Sequence, residues 1–77
     1  MILPTLHSGS GVGIRIWTIR TDLHIIETKT GLLGGAVRTT NDIILGGERE
    51  AEREAKARWN TKVRKGWILH EPQGSGE

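Results

Sequence analysis

The residues best suited to chemistry in this chain are cations set at helical spacing. In the run from Glu48 to Gly66, EREAEREAKARWNTKVRKG, the side chains of Arg49, Arg53, Lys56, Asn60 and Arg64 project within an arc of about 80° at 100° per residue. A phosphate backbone can lie along such a stripe, and neutralising it releases counterions and gives a salt-sensitive affinity that ignores base sequence. The alternative is a solvated helix face. No other grouping offers comparable chemistry. The segment Gly9-Ser10-Gly11-Val12-Gly13 has the composition of a phosphate-cradling loop, but no Gly-Lys-Ser/Thr follows and the next segment reads as a strand, so a flexible turn is expected. His7, His24 and His70 lack the ligand spacing of a zinc site; His24 reads as a strand residue and the other two as surface. Asp22 and Asp42 fall at turn positions, where they favour turn chemistry over an acid and base pair. No nucleophile, base and orienting group can be assembled, so the chain is expected to be non-catalytic, with no metal and no cofactor.

Composition bounds what can position those residues. With 77 residues the chain makes one small domain, which buries only about 60% of the surface its unfolded form exposes. There is no cysteine, so neither a disulfide framework nor a thiolate metal site is available. Eleven Lys and Arg against nine Asp and Glu leave a formal charge of +2 and a pI near 9.5, which permits an acidic partner without requiring one. The opening MILPTLHSGS has no basic region followed by an apolar one, and no stretch approaches the roughly 20 apolar residues of a membrane span. A soluble, cytoplasmic chain is expected, with no membrane partner.

Glycines mark the joints between elements. Ile14-Arg15-Ile16-Trp17-Thr18-Ile19 and Leu23-His24-Ile25-Ile26-Glu27-Thr28 are rich in β-branched and aromatic residues and predict two antiparallel strands, with the hairpin turn at Arg20-Thr21-Asp22. A second turn is expected over Gly31 to Gly35, then a third strand over Ala36 to Thr40, extending toward Asn41 to Leu45. Leu3 to Leu6 is read as an edge strand, since Pro4 lacks a backbone donor. A four- to five-stranded antiparallel meander results, crossed by one amphipathic helix and closed by a short strand at Trp67-Ile68-Leu69. Residues 1–70 form the domain, and 71–77 a flexible tail.

The helix has an apolar arc of about 120° through Ala51, Ala55, Trp59 and Val63, which predicts the docked face, with Trp59 as its anchor. Its acids, Glu48, Glu50, Glu52 and Glu54, precede its bases, Lys56, Arg58, Lys62, Arg64 and Lys65. That order complements the helix dipole, so most of the charge has a structural explanation and the Arg49 to Arg64 stripe is what is left over. Trp17 and Trp67 read as core.

Three segments carry a family resemblance: Ile14 to Ile19, then Ile26-Glu27-Thr28-Lys29-Thr30-Gly31-Leu32-Leu33-Gly34-Gly35, then Ala51 to Gly66 with Ala55, Trp59, Lys62 and Lys65-Gly66-Trp67. Over residues 12 to 69 the chain resembles the small WGR-like domain, in the version found at the N-terminus of some phage and viral ATP-dependent DNA ligases. The resemblance implies an antiparallel sheet with one helix across it, and contact with nucleic acid, as WGR domains of poly(ADP-ribose) polymerases contact DNA ends. The namesake Trp and Arg are absent, the corresponding turn being Thr30-Gly31-Leu32, so strand-break recognition is not implied. The contacts it implies are Arg15, Lys29 and Arg38 on sheet and loops, with Lys62 and Lys65 at the helix end. Two functions are expected to compete: a nucleic-acid-binding accessory domain acting on duplex DNA, and a protein-interaction module or viral effector that binds a host protein or a second copy of itself as a homodimer.

Overall fold

A computed structural model describes residues 1–9 and 13–70. The expected turn at Gly9 to Gly13 falls largely, and the expected tail at 71–77 wholly, outside the described residues. Six elements follow in order: β1 (Leu6–Ser8), β2 (Arg15–Asp22), β3 (Ile25–Leu32), β4 (Val37–Ile43), α1 (Glu48–Arg64) and β5 (Ile68–Leu69). The strands form one antiparallel sheet in the order β4-β3-β2-β1-β5. This is the α+β architecture expected from sequence. The helix carries the chain from the β4 edge across β2 and β3 to the opposite edge, where β5 pairs with β1.

Three boundaries differ from the sequence reading, each for a physical reason. The first hairpin turns at Leu23-His24 and not at Arg20-Thr21-Asp22, which continue the ladder opposite Glu27, Ile26 and Ile25. Arg20 stays in the strand because its Nε donates to Glu27 Oε1 at 2.7 Å across the pair, and Thr21 stays because it is buried, paired with the core residue Ile26. Leu23 then takes φ 57, a left-handed conformation uncommon for a bulky residue, so His24 lies in the turn and not in a strand. Secondly, Thr30-Gly31-Leu32 belongs to β3, and the chain reverses only after it, where Gly35 N–H bonds Leu32 O at 2.9 Å. Thirdly, the N-terminal strand is Leu6–Ser8, not Leu3 to Leu6, and it is interior, flanked by β2 and β5. Pro4 falls in the gap between that strand and a separate contact higher up β2, where Thr21 N–H bonds Met1 O at 2.8 Å. The missing proline donor is thereby left out of the ladder.

The core is Leu6, Trp17, Ile19, Ile26, Ala51 and Ala55. The two alanines have no exposed surface, which lets the helix axis approach the sheet closely. Beyond Ala55 the docked face departs from the expected arc. It continues through Arg58 and Lys62, both half-buried, while Trp59 sits at the core's margin and Val63 is 41% exposed. The spacing Ala51, Ala55, Arg58, Lys62 is the i, i+4, i+7, i+11 row of a helix. Its second half can be charged because long cationic stems cover apolar surface while their heads reach polar partners. Trp59 instead uses its indole N–H, which donates to Pro4 O at 2.9 Å and ties down the N-terminal segment.

The expected glycine stop is a two-bond cap. Trp67 N–H bonds Lys62 O at 3.1 Å and Gly66 N–H bonds Val63 O at 3.0 Å, with Gly66 at φ 106. This is the Schellman arrangement, and Lys62 lying over the Trp67 ring at 5.2 Å supplies the accompanying contact across the cap. A Cβ at Gly66 would meet nothing within 4 Å, so only the backbone conformation opposes substitution. Gly66→Ala is expected to destabilise the fold by about 1 kcal/mol. In thermal unfolding that is a drop of about 4–8 °C for a domain this size, and an unchanged midpoint would count against the cap.

Candidate nucleic-acid interface

The sheet's helix-side face is divided in two by the register. Trp17, Thr30 and Arg38 stand side by side on β2, β3 and β4, and the next row toward the hairpin is Ile19, Thr28 and Thr40. Alternation places Arg15 and Leu32 on the same face one step in the other direction. Because α1 lies over β2 and β3, it shields Trp17 and Ile19 and leaves Arg38 and Thr40 on an uncovered polar shelf.

Two concavities open along that shelf. The larger, of about 700 Å³, is lined by Arg15, Thr30, Gly31, Leu32, Ala36, Val37 and Arg38. The smaller, of about 290 Å³, is lined by Trp17, Thr28, Arg58, Thr61 and Lys62. Lys62 Nζ stands 5.5 Å from the Trp17 ring centre and 5.2 Å from that of Trp67, so its ammonium is held between two aromatic faces. Thr30 Oγ1 donates to Ile16 O at 3.2 Å, which fixes that hydroxyl within the row.

Arg58 closes the other end of the shelf and is already engaged. Its Nη1 donates to Asp42 Oδ2 and its Nε to Glu54 Oε2, each at 2.9 Å. The Asp42 hydrogen bond is the main reason its pKa is raised; burial opposes the rise and Glu54 adds to it. Arg58 is therefore a fixed structural cation. By contrast, Arg15, Arg38 and Lys62 have no carboxylate within 4 Å among the described residues.

The nine cations singled out from sequence are thus distributed over separate surfaces. Arg15, Arg38 and Lys62 are gathered on one shelf. Arg49, Arg53, Lys56 and Arg64 are exposed on the helix's outer side, where Arg53 Nη1 approaches Glu50 Oε2 at 3.7 Å. Lys65 is exposed at the helix end, and Lys29, paired with Thr18, faces the opposite side of the sheet from the helix. Sequence reasoning missed the threonine row and the role of Arg58. The available signal was the alternation in Thr28-Lys29-Thr30 and Arg38-Thr39-Thr40, which puts hydroxyls where a core strand would carry apolar groups.

The histidines are also rearranged. His7 and His70 were read as unrelated surface residues, but the β1–β5 pairing brings their Nδ1 atoms to 3.3 Å with the rings edge to face. One ring donates and the other accepts, so the contact joins the last strand to the first. Among the described residues no group of three or more potential metal ligands occurs, and no helix is long and apolar enough to cross a membrane.

No protein-family model matches this sequence, and no curated protein or solved structure is significantly similar to it. The geometry of the shelf must carry the functional reading.

Proposed function

We propose that this chain is a non-catalytic nucleic-acid-binding domain of WGR-like type, which holds duplex DNA by its phosphate backbone through Arg15, Arg38 and Lys62. One observation carries this reading: three cations without carboxylate partners among the described residues line two concavities on the helix-side face of the sheet, Arg15 and Arg38 the larger and Lys62 the smaller. Arginine forks and the hydroxyls of Thr28 and Thr40, whose protons are not committed among the described residues as that of Thr30 is to Ile16 O, suit phosphate oxygens, and an open trough suits a continuous strand better than a small substrate. The helix stripe lies on the side of α1 away from the sheet and adds longer-range attraction, reduced by the glutamates interspersed along the same helix.

A mobility-shift assay with duplex and single-stranded DNA at two salt concentrations tests the proposal. Three phosphate contacts give a slope of log K against log salt of about −2.7 on duplex and about −2 on single strands. Affinity on duplex should then fall about sevenfold between 50 and 100 mM salt. Absence of binding at the lower salt, or binding indifferent to salt, would reject the reading.

A second reading, a protein-interaction module, is favoured by one feature of the same sheet. Strand β4 has no neighbour on its outer side among the described residues, and a bare edge is a template for strand addition.

A further inference from the structure

The bare edge of β4 is self-complementary. Read from its centre at Thr40, the strand Val37-Arg38-Thr39-Thr40-Asn41-Asp42-Ile43 has an apolar residue at each end, opposite charges one step in, and short polar residues at the middle. We propose that two copies of this chain pair through β4, antiparallel about a twofold axis at Thr40, to form one continuous ten-stranded sheet. The proposal deepens the strand-addition reading; because it engages Arg38, which also lines the shelf, its test is made without nucleic acid.

Backbone polarity supports that register. Ile44 N–H bonds His24 O at 2.8 Å, and hydrogen-bonded pairs alternate along an antiparallel ladder. Asp42, Thr40 and Arg38 consequently turn their backbone groups toward β3. Val37, Thr39, Asn41 and Ile43 turn theirs outward, so four residues of seven present unpaired donors and acceptors. Centring the axis on Thr40 matches Val37 with Ile43 and Thr39 with Asn41, every outward residue meeting an outward residue of the second copy. Moving the axis by one residue along the strand leaves outward groups unmatched at one end.

Side chains support it as well. An axis perpendicular to the sheet keeps both helices on one side, so paired residues share a face. Arg38 then stands opposite Asp42 of the second copy in a non-hydrogen-bonded pair, the type that brings side chains closest. Asp42 can serve two arginines, because Arg58 occupies only Oδ2 and no hydrogen bond reaches Oδ1 among the described residues. On the other face, Val37 is 48% exposed and Ile43 65% exposed; pairing covers each with the other, beside the half-buried Ile25. The strand also lacks the lysine or proline with which exposed edges are commonly blocked.

The test uses charge reversal in opposite senses, in the absence of nucleic acid. The parent chain should self-associate with a dissociation constant on the order of 10–100 micromolar in sedimentation equilibrium, as suits an interface below the standard size. Arg38→Asp places acids opposite one another and Asp42→Arg places bases opposite one another, so each variant alone should dimerise at least about tenfold more weakly. Mixed together, the two variants restore both opposite-charge pairs, and a heterodimer should form with about the parent's affinity. Thr39→Pro removes an outward donor while leaving the β3 ladder intact, and it should be monomeric with circular dichroism like the parent's. A parent chain that stays monomeric up to about 1 mM, a Thr39→Pro chain that dimerises as the parent does, or folded charge variants that fail to pair on mixing would each overturn the proposal.

Discussion

Neutralising the shelf with Arg15→Gln, Arg38→Gln and Lys62→Gln together is expected to lower affinity for duplex DNA by about 10²–10³-fold at 0.1 M salt, and to remove most of its salt dependence. Each phosphate contact contributes about 0.9 to the slope of log affinity against log salt, which at 0.1 M corresponds to about eightfold in affinity per contact. Three contacts therefore account for nearly the whole electrostatic term. Glutamine keeps a polar stem at each position, and Lys62 is the one of the three with a structural duty, between Trp17 and Trp67. Its loss from the cap contact should cost about 0.5–1 kcal/mol, which a melting curve separates from the binding effect. The matched comparison is Arg53→Glu, Lys56→Glu and Arg64→Glu on the helix. These side chains lie on the outer surface, and Arg53 is within 4 Å of Glu50, so the expected loss is only about tenfold through long-range attraction. A larger loss from the helix set than from the shelf set would move the contact surface to the helix. No loss from either would dispose of phosphate binding by both.

The difference between these two surfaces explains what sequence could and could not disclose. The helix stripe was legible because residues four and three apart on one helix are neighbours by geometry alone. Arg15 and Arg38 are distant in sequence and meet only because β3 lies between their strands in a register that sequence did not specify. By sequence Arg58 is one of the bases that complement the helix dipole and Lys62 a nucleic-acid contact at the helix end, both outside the apolar arc, yet they occupy the docked row, because a cationic stem packs like an aliphatic chain. The strands themselves were legible from β-branched runs, and the helix stop from Gly66. The first turn was misplaced because Arg20-Thr21-Asp22 has turn composition, whereas Leu23 adopts a backbone conformation that its residue type gives no reason to expect. Cross-strand pairing of Arg20 with Glu27 and burial of Thr21 override that local preference. The place of β1 inside the sheet depends on β5, some sixty residues away, and no local pattern encodes such a pairing.

Substitution of Gly31 by alanine should have a large effect for a single added methyl group, about 3 kcal/mol of destabilisation. Gly31 lies in β3 opposite Val37, and its importance comes from space and not from backbone freedom. A Cβ there would stand 2.2 Å from Ala36 O and 2.9 Å from Val37 Cα. Both neighbours are backbone atoms, so no rotamer change relieves the overlap; the start of β4 must move away from β3 by most of an ångström. Domains of this size are stable by only about 4–12 kcal/mol, so the loss is a large share of the total and should lower the melting midpoint by about 10–20 °C. The displacement also reaches function, because Ala36, Val37 and Arg38 line the larger concavity with Gly31 itself. Gly31→Ala should accordingly weaken DNA binding even below its melting transition, and more than Gly66→Ala, which touches the shelf only through the Lys62–Trp67 contact of the cap. Equal and small midpoint shifts for the two variants, within about 4 °C of the parent, would mean that β3 and β4 are not held at the close approach on which the shape of the shelf depends.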